Sequence, residues 1–158
     1  MAAVIRFEVE GTPAAQGSKS AVLIGGKARL IEGKGTAGRE KHRSWRVAVA
    51  QAARDVASRD DVDAPFDGPL AVELLLRFRM PQSRPAWLRK IGIGWHTTKP
   101  DSDKVARACL DALVDGGLLR DDARVCELVV RKVELWASWT GAEITIRPAG
   151  QVTKAAVA

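Results

Sequence analysis

The segment Leu70–Met80 constrains the fold more than any other. Leu70, Val72, Leu74, Leu76, Phe78 and Met80 are apolar at every second place, with Glu73, Arg77 and Arg79 between them. Successive side chains of a strand point to opposite faces, so this period of two is a strand with one buried face. Such a strand needs a sheet around it and an apolar cover on one side. Val4–Glu10 repeats the pattern, with Ile5, Phe7 and Val9 against Arg6, Glu8 and Glu10. Val125–Trp136 and Ala142–Ile146, separated by a Thr140-Gly141 turn, add two more strands. Two helical segments supply the cover. In Gly38–Ser58, Trp45, Ala48, Val49, Ala52 and Val56 fall on one apolar face, and Arg43, Arg46 and Arg54 lie off it. In Ser102–Val114 the stripe is Val105, Ala108, Cys109, Ala112 and Leu113, and Gly116-Gly117 ends it.

Two stretches lack a clear period. Lys19–Lys34 carries Ala21-Val22-Leu23-Ile24, a Gly25-Gly26 pair and Ala28–Ile31, which reads either as a hairpin on a tight glycine turn or as a mobile basic arm. Pro81–Pro100, with prolines at both ends and Gly92 and Gly94 inside, reads as a long loop, and loops of that length in a compact domain usually serve function. The expected architecture is α+β: one domain over residues 1–150, a mixed and largely antiparallel sheet, and two main helices packed on one face. Residues 18–38 form the basic arm or hairpin, and residues 151–158 a tail. At 158 residues the chain buries enough surface to fold without a metal or disulfide.

No apolar run approaches the ~18 residues of a membrane span. The alternating start is not a signal peptide, so a cytoplasmic setting is expected. Cys109 and Cys126 make neither a disulfide scaffold nor, with two histidines, a zinc site, and each is expected to pack as a small apolar side chain. Nothing points to an organic cofactor, and any metal would be held by carboxylates.

The net charge of +6 matters less than its distribution. Six basic residues and no acid lie between Leu74 and Pro100, whereas seven acids and four bases lie between Asp101 and Glu127. Basic surface beside an acidic cluster suits a protein that grips a polyanion and holds a cation against it. The alternative is a solvated surface of uneven charge.

The acidic stretch opens with Lys99-Pro100-Asp101-Ser102-Asp103-Lys104. Pro100 disfavours helix at Lys99, which puts Asp101 at the helix start and Asp103 in its first turn. Both carboxylates are favoured there by the helix dipole, so simple capping is one reading. Asp103, Arg107 and Asp111, each four apart, line the polar face. Beyond Gly116-Gly117 the chain reverses, and a helix–turn–strand hairpin of this length is expected to return Asp122 to the neighbourhood of Asp101 and Asp103. Three converging carboxylates suit Mg²⁺, with Mn²⁺ as a substitute, and beside a basic groove they suggest metal-assisted phosphodiester hydrolysis.

The run Lys99-Pro100-Asp101-Ser102-Asp103-Lys104-Val105-Ala106-Arg107-Ala108-Cys109-Leu110-Asp111-Ala112-Leu113, followed by Asp121-Asp122-Ala123-Arg124-Val125, resembles the signature of the RusA family, Holliday junction resolvases carried by phages and prophages. Gly11–Ser18 and the helix around Trp45 are similar more loosely. The resemblance implies a homodimeric, Mg²⁺-dependent crossover junction endodeoxyribonuclease that cuts four-way DNA by paired symmetric nicks. It puts the metal-binding carboxylates at Asp101, Asp103 and Asp122. A catalytically important lysine of the family falls on Arg107, which keeps the charge but not a deprotonatable amine. Lys104 stands where Asn is common and contributes charge. Asp121 and Asp111 are expected to be structural, Asp111 by pairing with Arg107. Two other readings share the charge layout: a non-catalytic, structure-specific DNA-binding protein, and a Mg²⁺ nuclease for flaps and other branched DNA.

Arg84, Arg89, Lys90 and Lys99, with Trp87 as a stacking platform, are the expected DNA contacts of the long loop; Lys19, Lys27 and Arg29 are those of the arm. Trp95 is a second aromatic of that loop, and Trp87 and Trp95 otherwise seal the core edge or a dimer contact. Trp136 and Trp139 are expected in the core or an interface, and His96 as an ordinary loop histidine.

Overall fold

The structure, a computed structural model, describes residues 4–16, 19–24, 27–32 and 36–152, with the side chains of 19–36 outside that description. Strand β1 (Ile5–Glu10) is followed by β2 (Lys19–Ile24) and β3 (Lys27–Glu32), helix α1 (Thr36–Ala57) and strand β4 (Leu70–Arg79). Then come α2 (Ala86–Ile91), β5 (Ile93–Trp95), α3 (Ser102–Asp115), a 3₁₀ turn (Asp122–Arg124), β6 (Val125–Leu135) and β7 (Gly141–Pro148). Five strands form one sheet in the order β1-β7-β4-β6-β5, and β2 pairs with β3 as a separate antiparallel hairpin. Only β4 and β6 run parallel, because α3 intervenes in their crossover; the other three pairings are antiparallel. This is the expected α+β domain.

The period of two in β4 becomes burial. Leu70, Val72, Leu74, Leu76 and Phe78 are buried under the helices, while Glu73 and Arg77 on the other face join ion pairs with neighbouring strands. The buried stripe of α1, from Trp45 through Val49 and Ala53 to Val56, meets that of α3, from Val105 through Cys109 to Leu113. The two helices approach closely where Gly116 follows α3. A Cβ there would stand 2.5 Å from the Ala50 carbonyl oxygen and 2.6 Å from the Ala53 Cβ. Arg46 of α1 crosses the same contact to Asp115 at 2.7 Å and Asp111 at 3.7 Å. Asp111 therefore pairs with Arg46, not with Arg107 as the spacing along the helix predicts.

The stretch 81–100 is not a plain loop. It holds α2, which follows Pro85 and ends at Gly92 in the left-handed conformation (φ 82°), and β5, an edge strand on β6. A six-residue helix and a three-residue strand with glycine at its centre are too short to show a period. Cys109 is buried, and burial pushes its thiol up to about 12; Cys126, expected to pack as an apolar side chain, is exposed instead. Trp136 and Trp139 are not core residues. Each is a shelf for a guanidinium, Arg89 at 5.3 Å from the Trp136 ring and Arg77 at 4.4 Å from the Trp139 ring. Among the described residues, no helix is long and apolar enough to cross a membrane.

Candidate active site

Asp101 sits at the N-cap of α3 in extended conformation, yet its side chain makes no capping hydrogen bond. It pairs instead with Lys104 at 2.9 Å. That ammonium holds the Asp101 carboxyl below its ordinary range, and the carboxylate in turn raises Lys104. Asp103 and Arg107 are exposed on the polar face of α3, and Arg107 makes no ion pair among the described residues. Capping thus does not explain Asp101, and a ladder through Asp111 does not explain Arg107.

The approach to Asp101 is held by side chains of β6 and the loop. Lys132 donates to the Thr98 carbonyl at 2.8 Å and the Pro100 carbonyl at 2.6 Å. His96 stacks on Phe78, with ring centroids 4.0 Å apart, and its Nε2 stands 3.1 Å from the Lys99 carbonyl. Its Nδ1 faces Glu134 at 3.4 Å. Glu134 is fully buried and takes hydrogen bonds from Arg84 Nε and, at 2.9 Å, from Nη2. Arg84 is therefore a partner of a buried carboxylate, not a free DNA contact, and His96 is more than an ordinary loop histidine. Sequence reasoning missed Lys132 and Glu134. Their signal was the face of β6 they share with Val130, which packs against the core: two charged residues where a strand turns inward need partners.

Asp122 stands elsewhere. It opens the 3₁₀ turn, whose N-cap Asp121 accepts from the Ala123 amide at 2.8 Å. Arg120 and Arg124 anchor this segment to Asp67 at 2.9 and 3.0 Å. Asp122 and Asp121 line one shallow depression with Asp111, Asp115 and Arg46, at the C-terminal end of α3. Asp101 is at the other end. With ~1.5 Å of rise per residue, the helix between them is about 20 Å long. The expected convergence in one chain does not occur, because Asp122 begins the returning segment and so stays where the reversal is made. Among the described residues, no three His, Cys, Asp or Glu side chains are grouped closely enough to hold a metal ion. The described residues of one protomer accordingly do not gather the three carboxylates that the acidic pattern suggests for Mg²⁺.

Of the expected DNA contacts, Trp87, Lys90 and Lys99 are exposed, and Arg89 is half-buried against Trp136. Trp87 and Ile91 of α2, with Ile93 and Trp95 of β5, leave large apolar side chains in solvent. The side chains of Lys19, Lys27 and Arg29 lie outside the described residues.

A search of curated proteins returns no match for this chain. The family model for endodeoxyribonuclease RusA matches residues 12–147, which takes in both ends of α3, the clasped approach to Asp101 and every strand from β2 to β6. With most of its length matched, the chain belongs to the RusA endodeoxyribonuclease family.

Proposed function

We propose that this endodeoxyribonuclease resolves four-way DNA junctions as a homodimer, by paired symmetric cuts that depend on Mg²⁺. The observation that carries the reading is the division of the acidic motif between the two ends of α3. Each protomer presents two half-sites, Asp101 and Asp103 at one end and Asp122 at the other. A two-fold axis beside α3 would set the Asp101 end of one helix against the Asp122 end of its partner and produce two equivalent sites. Two sites related by a two-fold axis match the near-symmetry of a four-way junction, and paired cuts need two. Mg²⁺, or Mn²⁺ in its place, is the cation such carboxylate half-sites would share.

The cations of α3, α2 and the loop between them serve the polyanion. Arg107, unpaired on α3 and one turn from Asp103, delivers positive charge to a phosphate, and Lys104 adds to it. Arg89, Lys90 and Lys99 grip the backbone, and Trp87 offers a face on which a splayed base can stack. The family membership favours hydrolysis over mere binding. Incubation of the protein with a four-way junction, a flap and a linear duplex, each with Mg²⁺ or EDTA, tests the reading. Paired nicks in the junction alone and only with Mg²⁺ are the expected result. Preference for the flap would make it a flap nuclease, and cutting in EDTA would remove the metal.

A further inference from the structure

A cleft of about 600 Å³ opens beside Asp101. The junction-cutting reading uses the rim of this cleft but not its far walls. One wall is Thr12–Gln16, fixed by the Gly11 amide on the Thr140 carbonyl at 3.1 Å and the Gln16 amide on the Lys104 carbonyl at 3.3 Å. Lys41 enters from α1, Arg79 from the end of β4 and Lys99 from the clasped loop. Among the described residues Asp101 is the one acid in the lining, and Lys104 already pairs with it. Lys41, Arg79 and Lys99 make no ion pair among the described residues.

Lys41 breaks a pattern in order to be there. It lies four residues before Trp45, on the same stripe of α1 that Trp45, Ala48 and Val49 continue into the core. At the head of that stripe Lys41 is exposed and carries its charge out at the mouth of the cleft. Arg79 breaks another. Arg77, two residues earlier on the same face of β4, is held by Glu143 and Trp139, and Arg79 has neither partner. Three cations from three separate elements, none of them in an ion pair among the described residues, thus line one concave place, Arg79 from the far end of β4. Gathered like charges repel, and the arrangement becomes favourable when a polyanion fills it.

We propose that Lys41 and Arg79 form a strand-holding site that binds the phosphate backbone of DNA next to the phosphate cut at the Asp101 half-site. The inference rests on the nuclease reading for which phosphate is cut, but not for whether the cleft binds backbone. These are binding residues. They seat the strand, and the rest of the chemistry belongs to other groups.

The test uses the full chain and a four-way junction, with Lys41→Ala, Arg79→Ala and the charge-keeping Lys41→Arg and Arg79→Lys. Both positions are exposed; Lys41→Gln and Arg79→Gln replace any alanine variant that melts early. Binding in EDTA is followed against salt, and single-turnover cleavage in Mg²⁺ at saturating protein. Each alanine variant is expected to lower the slope of log K against log salt by about one. Each is expected to slow cleavage by roughly 10- to 100-fold, since a misplaced strand loses orientation. The charge-keeping variants restore both. A neutral methylphosphonate at one phosphate beside the cut should slow the wild type equally and add nothing to the alanine variants. Unchanged slopes, or a methylphosphonate loss that adds in full at every position, would overturn the proposal. A wild type that binds yet cuts nothing would sink the nuclease reading alone, because the slopes in EDTA still report the strand-holding site.

Discussion

Among the described residues Glu134 is the one charged side chain that is fully buried, and Arg84 reaches it from the loop after β4 with two hydrogen bonds in fork geometry. The pair ties β6 to the segment that leads to α2. Through His96, which faces Glu134 on one nitrogen and the Lys99 carbonyl on the other, the same carboxylate reaches the turn that carries Asp101. One ring nitrogen thus faces the buried carboxylate and the other a backbone carbonyl, so the ring bridges Glu134 to that turn.

Arg84→Ala leaves a buried carboxylate with one distant partner. The expected result is a clear loss of folding stability, because removing one side of the pair leaves the buried carboxylate without its main partner. The slope of DNA binding against salt should stay that of the wild type, because Arg84 is already engaged. Urea unfolding and a salt titration together check this. A wild-type melting curve with a lowered salt slope would return Arg84 to the DNA surface.

Acid should release the same clasp. Hydrogen bonds from Arg84, helped by His96, hold the Glu134 carboxyl below its ordinary value of 4.5, against burial, which raises it. A carboxyl held low in the folded state contributes stability above its unfolded value, and the contribution drains away as pH falls through the folded value. The window is therefore below 4.5. Unfolding measured from about pH 6 down to about pH 3 should show a steeper acid loss in the wild type than in Glu134→Gln, which has no proton to take up. Parallel curves would remove Glu134 as the source. The Asp101–Lys104 pair is exposed and contributes little to this slope.

The frame of the fold was legible because it is periodic. β4 announces its buried face at every second residue, and α1 and α3 announce theirs from Trp45 to Val56 and from Val105 to Leu113. What escaped was short or relational. α2 and β5 lie below the length at which a period shows, although Pro85 before and Gly92 after the helix were readable punctuation. The motif around Asp101 and Asp122 named its residues and put Asp101 at the start of α3, but linear spacing could not say how far the chain returns after Gly116-Gly117, and so whether Asp122 reaches that end. Arg84 looked like one loop cation among several, because its partner is 50 residues away.

Arg107 is exposed and pairs with nothing described, so Arg107→Ala should leave the melting temperature within error. If the guanidinium serves a phosphate, single-turnover cleavage falls by roughly 100-fold, the scale for removing one charge-stabilising donor. Arg107→Lys should keep most of the rate, since both groups deliver positive charge while differing in geometry. A rate for the alanine variant within about twofold of the wild type, roughly 0.4 kcal/mol in barrier, would end the assignment.

The division of the carboxylates makes mixed dimers informative. Asp101→Asn and Asp122→Asn should each be inactive alone and still bind junctions, because losing a carboxylate also relieves repulsion of phosphate. If a site is built from the Asp101 end of one α3 and the Asp122 end of the other, each homodimer is damaged at both of its sites. Mixing the two variants and allowing subunits to exchange creates a different species. In the mixed dimer one site receives an intact Asp101 from one protomer and an intact Asp122 from the other, while the second site carries both substitutions. The expected product is a single nick per junction, without the paired partner cut, at up to about half the wild-type nicking rate per dimer. Mixing Asp101→Asn with Asp103→Asn should restore nothing, since those residues belong to the same half-site and every site in that dimer lacks one of them. Two measurements settle it: nicks per junction on a denaturing gel, and native mass spectrometry with one variant isotopically labelled to verify that exchange has occurred. Exchange without recovered nicking in the first mixture would mean that the half-sites do not meet across a two-fold axis, and the shared site would be withdrawn.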